Sequence, residues 1–480
     1  MSHTVIQSEH TSWSASELEI KIKEISNALA DRNFPDAPIG LLADNSPEWI
    51  ATDLASQNLA PIIPIPLFFT AEQIAHTINT TGLVSLITSN HAVAESLGFK
   101  FSGHSFGHLD LFNLNHDHFN LKKEYEGVDK ITFTSGTTST PKGVCLSSVQ
   151  QWQVAEALAE ALANLSIRRH LNLLPLAVLL ENLAGVYTSI LSNITNICLP
   201  LKLVGFDGSS EFNPAQCLSA IEKYQAESII LLPQMLQAII SVLHPHDSRI
   251  RSLKFVAVGG AKTPTGLIKA ALDLGLPVYE GYGLSECSSV VSLNLPEKQR
   301  IGSVGKPLSN RQVRVADDGE IEVSGQAPVH YFGLPNHSEK WLKTGDLGHI
   351  DTDGYLYIDG RKKNILITSF GRNVSPEWPE NILLESSLIK QVMVVGEGKP
   401  FLSALIVPNS EQVSNSQIEM LISKANLLLP DYASIREWIR VNEAFSTKNQ
   451  LSTPNGRIKR DAILEKYHDG IESLYNTQGT

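Results

Sequence analysis

Short apolar runs alternate with amphipathic stretches along most of this chain of 480 residues, and this alternation limits the folds open to it. The runs have the length and the residue types of buried strands. They lie at 39–43, 84–88, 228–232, 254–258 and 392–395. Helical patterns lie between them, at 15–30, 48–57, 71–80, 151–164 and 214–224. This alternation predicts an α/β fold with mostly parallel sheets.

The sequence changes in character after residue 300. From Gly302 to Gly371, Asp-Gly turns separate short β-type runs, a pattern that predicts hairpins. The residues after Gly371 contain strand and helix patterns of their own. We therefore predict a large N-terminal domain of helix-flanked sheets with a β-rich subdomain, residues 1–361, and a small α+β C-terminal domain, residues 362–480.

The chain is acidic, with 38 basic and 50 acidic residues and a net charge of −12. Such a protein repels nucleic acid and anionic lipid unless a local basic patch attracts them, so we expect no nucleic-acid partner. The N-terminal residues lack the basic start and apolar run of a signal peptide. The four cysteines form no Cys-x-x-Cys pair, so we expect free thiols in a cytoplasmic protein.

The strongest chemical signal is the segment Ile131-Thr-Phe-Thr-Ser-Gly-Thr-Thr-Ser-Thr-Pro-Lys-Gly143. A β-branched run ends there in a loop rich in hydroxyl groups and glycine, with one lysine. Such a loop suits phosphate, because backbone N–H and hydroxyl groups donate hydrogen bonds and the ammonium group neutralises charge. It is not a Walker A loop, since Pro141 stands where the second glycine is required. The alternative is a flexible surface loop.

Two further segments carry polar groups in turns. In Glu280-Gly-Tyr-Gly-Leu-Ser-Glu286, two glycines flank an aromatic ring that can lie against a planar base, and Glu286 can hold Mg²⁺. In Trp341-Leu-Lys-Thr-Gly-Asp346, the carboxylate can accept two vicinal ribose hydroxyl groups. Each segment alone is also compatible with an ordinary turn.

Together these segments resemble, in the same order, those of the AMP-forming adenylate synthetase superfamily of acyl-CoA synthetases, luciferases and peptide-synthetase adenylation domains. The resemblance extends from Asn45-Ser-Pro-Glu-Trp49 to Asn455-Gly-Arg-Ile-Lys-Arg460. It implies that a carboxylate attacks the α-phosphate of ATP, giving an acyl-adenylate and pyrophosphate. The thiol of CoA or of a carrier-protein pantetheine then displaces AMP. It also implies ATP and Mg²⁺ as cofactors, CoA as co-substrate and a mobile C-terminal domain.

The resemblance assigns roles to individual residues. It implies a nucleotide site made of Thr134, Ser135, Gly136, Thr137, Thr138, Lys142, Gly143, Gly259, Gly260, Ala261, Tyr282, Gly283, Ser285, Asp346 and Arg361. Within this set, Tyr282 stacks on adenine, and Asp346 binds the ribose with help from Arg361. Thr134 and Glu286 serve Mg²⁺. Lys363 marks the hinge between the domains, and Gly371 lies on the pantetheine tunnel. The catalytic residues implied are Lys142, Glu286, Arg457 and Lys459.

One departure from the family pattern concerns catalysis. The family usually reads Gly-Lys-x-x-Arg near the C-terminus, and that lysine bridges the carboxylate and the α-phosphate. Here Arg457 stands in the lysine position, and Lys459 follows two places on, as in long-chain acyl-CoA synthetases. Three alternatives remain open: Arg457 substitutes for the lysine, Lys459 takes the role, or adenylation is impaired. At a second departure, Val178 replaces a gating histidine.

Subfamily features favour a fatty acid substrate of medium or long chain. The segment from Gly360 to Glu377 resembles the long-chain acyl-CoA synthetase version, and segments 174–190 and 231–240 are candidate walls of the acyl pocket. We therefore predict an AMP-forming fatty acid–CoA ligase. The alternatives are an acyl-AMP ligase that loads a carrier protein, and a nucleotide-binding relative with weak activity. The expected partners are a small carboxylate, ATP and CoA or a carrier protein, and peripheral membrane contact is left open.

Overall fold

The computed structural model of the protein describes residues 3–32, 34–114, 123–134, 142–207, 211–325, 330–334, 339–369, 372–453 and 456–476. Over these residues the helices are α1 (Ala15–Ala30), α2 (Pro47–Ala55), α3 (Ala71–Thr81), α4 (His91–Ser96), α5 (Ser148–Leu162), α6 (Thr188–Leu191), α7 (Pro214–Tyr224), α8 (Pro233–Ile240), α9 (Thr265–Asp273), α10 (Glu377–Leu384), α11 (Asn415–Asn426), α12 (Arg460–Lys466) and α13 (His468–Asn476).

The strands of the first half of the chain are β1 (Thr4–Gln7), β2 (Ser12–Ser14), β3 (Ile39–Leu42), β4 (Ile62–Pro64), β5 (Ser85–Thr88), β6 (Lys100–Phe106), β7 (Leu109–Asn113), β8 (Lys130–Thr134), β9 (Lys142–Leu146), β10 (Arg169–Leu171), β11 (Thr195–Ile197), β12 (Phe206–Asp207), β13 (Glu211–Phe212) and β14 (Ser228–Leu231). Those of the second half are β15 (Phe255–Val258), β16 (Val278–Leu284), β17 (Ser289–Leu293), β18 (Lys306–Pro307), β19 (Gln312–Val315), β20 (Glu320–Ser324), β21 (His330–Tyr331), β22 (Leu342–Ile350), β23 (Leu356–Arg361), β24 (Leu366–Ile367), β25 (Asn373–Val374), β26 (Ile389–Val395), β27 (Leu402–Pro408) and β28 (Ile435–Arg440).

Local signals in the sequence account for several helix starts. Ser14 caps α1, and the carboxylate of Glu17 accepts from the backbone N–H of Ser14 at 2.7 Å, which completes a capping box. The hydroxyl of Ser46 accepts from the backbone N–H of Trp49 at 3.0 Å, and Pro47 occupies the first turn of α2. The predicted strands and helices all lie within one to three residues of observed elements.

Two large sheets form the main body. Their strand orders are β21-β9-β8-β4-β3-β5-β7-β6 and β18-β17-β16-β15-β14-β10-β11-β1-β2. The central pairs in both sheets are parallel and the edge pairs are antiparallel. The predicted α/β fold is therefore confirmed. A four-stranded antiparallel sheet, β19-β20-β22-β23, follows where the sequence predicts hairpins.

The C-terminal residues surround a separate three-stranded sheet, β26-β27-β28. Helices α10 and α11 contribute Leu383 and Ile418 to an apolar core on this sheet. Within this core region Arg460 forms an ion pair with buried Glu380, whose carboxylate also accepts from the backbone N–H of Val394 at 2.7 Å. Over the described residues, no helix is both long and apolar enough to span a membrane.

A buried ion pair joins the layers of the main body. The ammonium group of Lys130, at the start of β8, lies 2.9 Å from the carboxylate of Asp53 on α2. Both side chains are 1% exposed. Asn182 accepts from Lys130 at 2.6 Å, and Tyr187 donates to Asp53 at 3.0 Å. Asn182 and Tyr187 belong to a π-helical segment, Leu180–Tyr187, so one buried charge fixes three elements relative to one another.

Replacing Asp53 should destabilise the main body strongly. In Asp53→Ala the buried ammonium group of Lys130 loses its carboxylate, and we expect a loss of about 3–5 kcal/mol in the free energy of unfolding, measured by urea titration. Glu24→Ala is the matched control, because Glu24 pairs with Lys21 at 2.8 Å on the exposed face of α1. That control should lose less than about 1 kcal/mol. Equal losses in the two variants would contradict the assignment.

Candidate active site

A cavity of about 1870 Å³ lies between the main body and the C-terminal residues. It gathers most of the site residues predicted from the sequence. Those lining it are Gly259, Gly260, Ala261, Tyr282, Gly283, Ser285, Glu286, Asp346, Arg361, Lys363, Arg457 and Lys459. Both candidate walls of the acyl pocket also contribute, including Val178 and Leu180 from the first and Leu232 and Gln237 from the second.

Asp346 is the centre of a polar cluster in this cavity. Asp346 on β22 and Arg361 on β23 are register partners, and Arg361 Nε lies 2.6 Å from Asp346 Oδ1. The hydroxyl of Tyr282 donates to Asp346 Oδ2 at 2.6 Å. Burial raises the pKa of Asp346, and the positive charge of Arg361 opposes that rise. Both carboxylate oxygens are thus held in fixed directions by partners from two sheets.

The position of Tyr282 depends on a close backbone approach beside it. The pairing of β16 with β17 shifts register between Tyr282 and Gly283. A Cβ atom on Gly283 would lie 1.8 Å from the carbonyl oxygen of Ser289, so only glycine fits there. The glycine after Tyr282 in the sequence segment therefore has a packing cause.

Arg457 enters the cavity from the C-terminal residues. The backbone N–H of Thr453 donates to the carbonyl of Arg457 at 2.7 Å, and Gly456 has φ of +77°. The resulting turn directs the guanidinium group to the main body, where its Nε and Nη2 donate to the carbonyl oxygen of Gly260 at 3.0 and 2.5 Å. Although solvent reaches it through the cavity, desolvation by the surrounding protein lowers its pKa, and the charge of Arg361 lowers it further.

The two basic residues after Arg457 have different surroundings. Lys459 precedes the first turn of α12 and lines the same cavity. Arg460 turns into the C-terminal core, where it pairs with Glu380. Arg457 is thus the member of this basic segment that contacts the main body beside the Asp346 cluster.

Positive charge is concentrated around this point. Burial lowers the pKa of Lys363, and both Arg361 and Arg457 lower it further. The carboxylates of Asp346 and Glu286 act on Arg457 in the opposite direction. Arginine groups crowded in this way are stabilised by an added anion, and guanidinium groups bind phosphate and carboxylate oxygens well.

Glu286 lies at the end of β16, in the turn Ser285–Cys287. Its carboxylate accepts from the hydroxyl of Tyr331 at 2.8 Å. Tyr331 belongs to β21, which pairs with β9, and Thr134 pairs with Lys142 across the hairpin of β8 and β9. The strands β8 and β9 flank the predicted phosphate loop, and β21 connects them to Glu286 through Tyr331. Four loop residues predicted as ligands, Ser135, Gly136, Thr137 and Thr138, lie outside the described residues, as does Gly371.

Sequence reasoning gave no role to two charged groups that line the same cavity, Lys262 and Glu280. Glu280 is 2% exposed and accepts from the backbone N–H of Thr263 at 2.8 Å. Lys262 donates to the carbonyl of Ile358 at 2.6 Å, and desolvation lowers its pKa. The available signals were the position of Lys262 directly after Gly259-Gly260-Ala261 and the acidic residue that opens the Tyr282 segment.

Known proteins with similar sequences were compared with the chain. A family model described as AMP-binding enzyme matches residues 1–328, and one described as AMP-binding enzyme C-terminal domain matches residues 363–479. The long-chain-fatty-acid–CoA ligase FadD15 of Mycobacterium bovis is 35% identical over 254 residues, 46% of this chain and 42% of that protein. The 2-succinylbenzoate–CoA ligase of Bacillus pumilus is 26% identical over 80% of each chain. The match thus spans less than half of the length of FadD15.

Solved structures show the same fold. The anthranilate CoA ligase AuaEII, in complex with anthranoyl-AMP, aligns with a TM-score of 0.78 and 18% identity over 96% of this chain and 94% of that one. The amide bond synthetase McbA from Marinactinospora thermotolerans aligns with a TM-score of 0.78 and 22% identity over 97% of both chains. The expected arrangement of a large N-terminal and a smaller C-terminal part is confirmed by these likenesses.

The stability of the protein should depend on pH through Glu280. Burial raises the pKa of Glu280 to about 7, whereas its unfolded value is about 4.5. The folded state therefore binds more protons between these values, and stability falls as the pH rises through them. Relative to the native protein, Glu280→Gln should gain stability from about pH 5 to about pH 8 in urea titrations. The exposed Glu411→Gln is the control. A gain that is equal at both pH values would contradict the assignment.

Proposed function

This chain belongs to the AMP-binding enzyme family, and from that premise we propose that it activates a carboxylic acid with ATP and transfers the acyl group to CoA. In the first step a carboxylate oxygen forms a bond to the α-phosphorus of ATP, and the bond to the leaving pyrophosphate breaks. In the second step the sulfur of CoA bonds to the acyl carbon, AMP leaves, and the thiol proton passes to solvent. The observation that carries the proposal is the contact of Arg457 with Gly260 beside the Asp346–Arg361 pair.

The charges of the cluster suit the first step. The attacking and leaving groups are both anionic, so positioning and charge neutralisation are the main tasks of the protein. Arg457 can hold a carboxylate and an α-phosphate oxygen at once, because its guanidinium group offers a planar fork of donors. We therefore propose that Arg457, rather than Lys459, substitutes for the family lysine. Lys142 would neutralise the outer phosphates.

The nucleotide would use the residues around Asp346. An ionised carboxylate has about four acceptor positions. Tyr282 and Arg361 occupy two, which leaves acceptor positions for the ribose hydroxyl groups. The ring of Tyr282 is held by its hydroxyl group and would stack on adenine. The segment Gly259–Ala261 would border the base, and the residues of the 134–143 loop would hold the phosphates.

Glu286 fits a magnesium site that is shared with substrate. Magnesium in nucleotide sites is commonly held by one or two carboxylates together with phosphate oxygens and water. The Glu286 carboxylate lines the cavity and is oriented by Tyr331, and Thr134 ends the neighbouring strand. When bound, the metal would neutralise phosphate charge. The contribution of the chain is to hold the Glu286 carboxylate in position.

We further propose a domain boundary after residue 361, with a hinge at Lys363. The short helix Lys362–Asn364 directly follows β23. Lys362 lies 2.7 Å from both Asp318 and Glu320, whereas the amide of Asn364 donates to Glu377 at 2.6 Å. The residues on either side of Lys363 are thus anchored to different parts of the chain, which suits a pivot.

The substrate we propose is a fatty acid of medium or long chain. Supporting this are the likeness to FadD15 and the apolar walls contributed by segments 174–190 and 231–240. Loading of a carrier protein is a second candidate, because a chloroplastic long-chain-fatty-acid–[acyl-carrier-protein] ligase of Arabidopsis thaliana is 28% identical over 257 residues. Fatty-acid-dependent ATP–pyrophosphate exchange, followed by addition of CoA or a carrier protein, separates them. No exchange with any carboxylate would refute both.

Arg457→Ala should reduce ATP–pyrophosphate exchange by about 100- to 1000-fold, because a charge-stabilising donor is removed from the reacting centre. Lys459→Ala is the matched control from the same segment and should stay within a few-fold of the native rate. Unaltered exchange in Arg457→Ala, together with loss in Lys459→Ala, would transfer the role to Lys459. Loss of neither would show that this basic segment does not serve adenylation.

Glu286→Gln should raise the concentration of Mg²⁺ that is needed for half-maximal exchange, since the amide removes the negative charge that attracts the metal. Its unfolding midpoint should change little, because Tyr331 can still donate to the amide oxygen. Glu297→Gln, at an exposed turn of the main body, serves as the control. An unchanged magnesium dependence would refute the role of Glu286.

A further inference from the structure

A polar relay crosses one wall of the large cavity, far from the Asp346 cluster. The imidazole of His170 lies between two oxygens, with Nδ1 at 2.9 Å from the hydroxyl of Ser228 and Nε2 at 2.9 Å from the carboxylate of Glu181. His170 and Ser228 line the cavity, whereas Glu181 lies behind them and is fully buried. No role in the proposed activation chemistry uses these three groups.

The groups of this relay come from two neighbouring strands and a helical segment, and a glycine leaves room for their contact. His170 on β10 and Ser228 on β14 are cross-strand partners in the nine-stranded sheet. Glu181 is in the π-helical segment that packs on the same face. A Cβ atom on Gly185 would lie 2.4 Å from Glu181 Oε1 and 2.8 Å from His170 Nε2, so the glycine makes room for their contact.

The donors and acceptors around these three groups indicate which atom donates each hydrogen bond. Oε2 of Glu181 accepts from the backbone N–H groups of Leu173 and Leu174 at 3.2 and 2.9 Å. An ionised carboxylate only accepts, so His170 Nε2 carries a proton and donates to Oε1. When Nε2 carries the only ring proton, Nδ1 accepts a hydrogen bond from the hydroxyl of Ser228. The oxygen of Ser228 retains two lone pairs, and a chain of hydrogen bonds that ends in a carboxylate polarises it into a stronger acceptor.

The relay lies at a defined depth in the cavity. Ser228 is the first residue of β14, and Leu231 is the last. At the end of β14 the backbone N–H of Gly259 donates to Leu231, next to the carbonyl of Gly260 that binds Arg457. Three residues of strand place Ser228 about 10 Å below that end. The wall between them is apolar, with Ile230 and Ala257 exposed to the cavity.

We propose that this relay selects a medium-chain carboxylic acid that carries a hydroxyl group at the end remote from the carboxylate, and that Ser228 accepts a hydrogen bond from that hydroxyl. This inference rests on the proposed activation of a carboxylic acid at the Arg457 end of the cavity. A plain alkyl chain would leave the lone pairs of Ser228 without a donor in an apolar channel. A terminal hydroxyl group satisfies them and recovers the cost of its own dehydration.

The test uses the native enzyme with octanoic, decanoic, dodecanoic and tetradecanoic acids, their ω-hydroxy derivatives and their ω-methoxy derivatives. The measured quantity is kcat/KM from pyrophosphate release. At the chain length that reaches Ser228, the hydroxy acid should equal or exceed the unsubstituted acid. It should also exceed the methoxy acid, which cannot donate, by about tenfold. A hydroxy acid that is the poorer substrate at every length would overturn the inference.

Two variants test whether Ser228, rather than another hydroxyl group in the cavity, causes the preference for the hydroxy acid. Ser228→Ala should lower kcat/KM for the preferred hydroxy acid by about tenfold and leave the unsubstituted acid within about twofold, which also shows that the variant folds. Thr188→Val is the matched control, because Thr188 also lines the cavity but donates to the backbone carbonyl of Leu183 at 3.0 Å. A preference that survives Ser228→Ala, or one that is lost in Thr188→Val instead, would overturn the inference.

Failure of the inference and failure of the proposed function give different results. Turnover of unsubstituted acids without any length at which the hydroxyl is accepted leaves the proposed function intact and removes this inference. If no acid is turned over, calorimetric binding of the hydroxy acids decides. Binding that weakens in Ser228→Ala supports the relay as a hydroxyl site, whereas binding that is absent or indifferent to this substitution overturns it.

Discussion

The buried ammonium group of Lys130 constrains the whole main body. A charge without solvent has to be surrounded by partners, and here these come from α2 and from the π-helical segment Leu180–Tyr187. The same segment carries Glu181, whose carboxylate holds His170 in place on the wall of the cavity. One short piece of irregular helix therefore serves two buried polar groups. The wall of the large cavity is coupled to the packing of the two large sheets through it.

Binding of an anion in the cleft depends on the charges that line it, not on the net charge of the whole chain. The net charge of −12 opposes anionic ligands at long range. Arg361, Lys363 and Arg457 nevertheless line one cavity, where neighbouring positive charge lowers the pKa of Lys363 and of Arg457. Asp346 offsets part of this charge and is oriented by Tyr282. An anion bound among these groups would relieve their repulsion.

The sequence allowed prediction of several strands and helices, because apolar periodicity and turn chemistry are local properties, and most of the site residues it indicates line the cavity. It left Arg457 and Lys459 undecided, since both are basic residues of one short segment and only the folded turn at Gly456 directs Arg457 to Gly260. The relay could not be found in this way. His170 and Ser228 are far apart in sequence and meet through the register of β10 and β14. Likewise, nothing local shows that Lys262 and Glu280 line the same cavity or that Glu280 is buried.

The contact between Arg457 and Gly260 has a consequence for the order in which the cluster assembles while the chain is synthesised. The groups around Asp346 and Gly260 all precede residue 362, whereas Arg457 is synthesised much later. Domains generally fold as units, with the N-terminal one first during synthesis. A nascent main body can therefore assemble the cluster around Asp346 before the guanidinium group of Arg457 is present. The contact of Arg457 with Gly260 can form only after the residues that follow 362 have been synthesised.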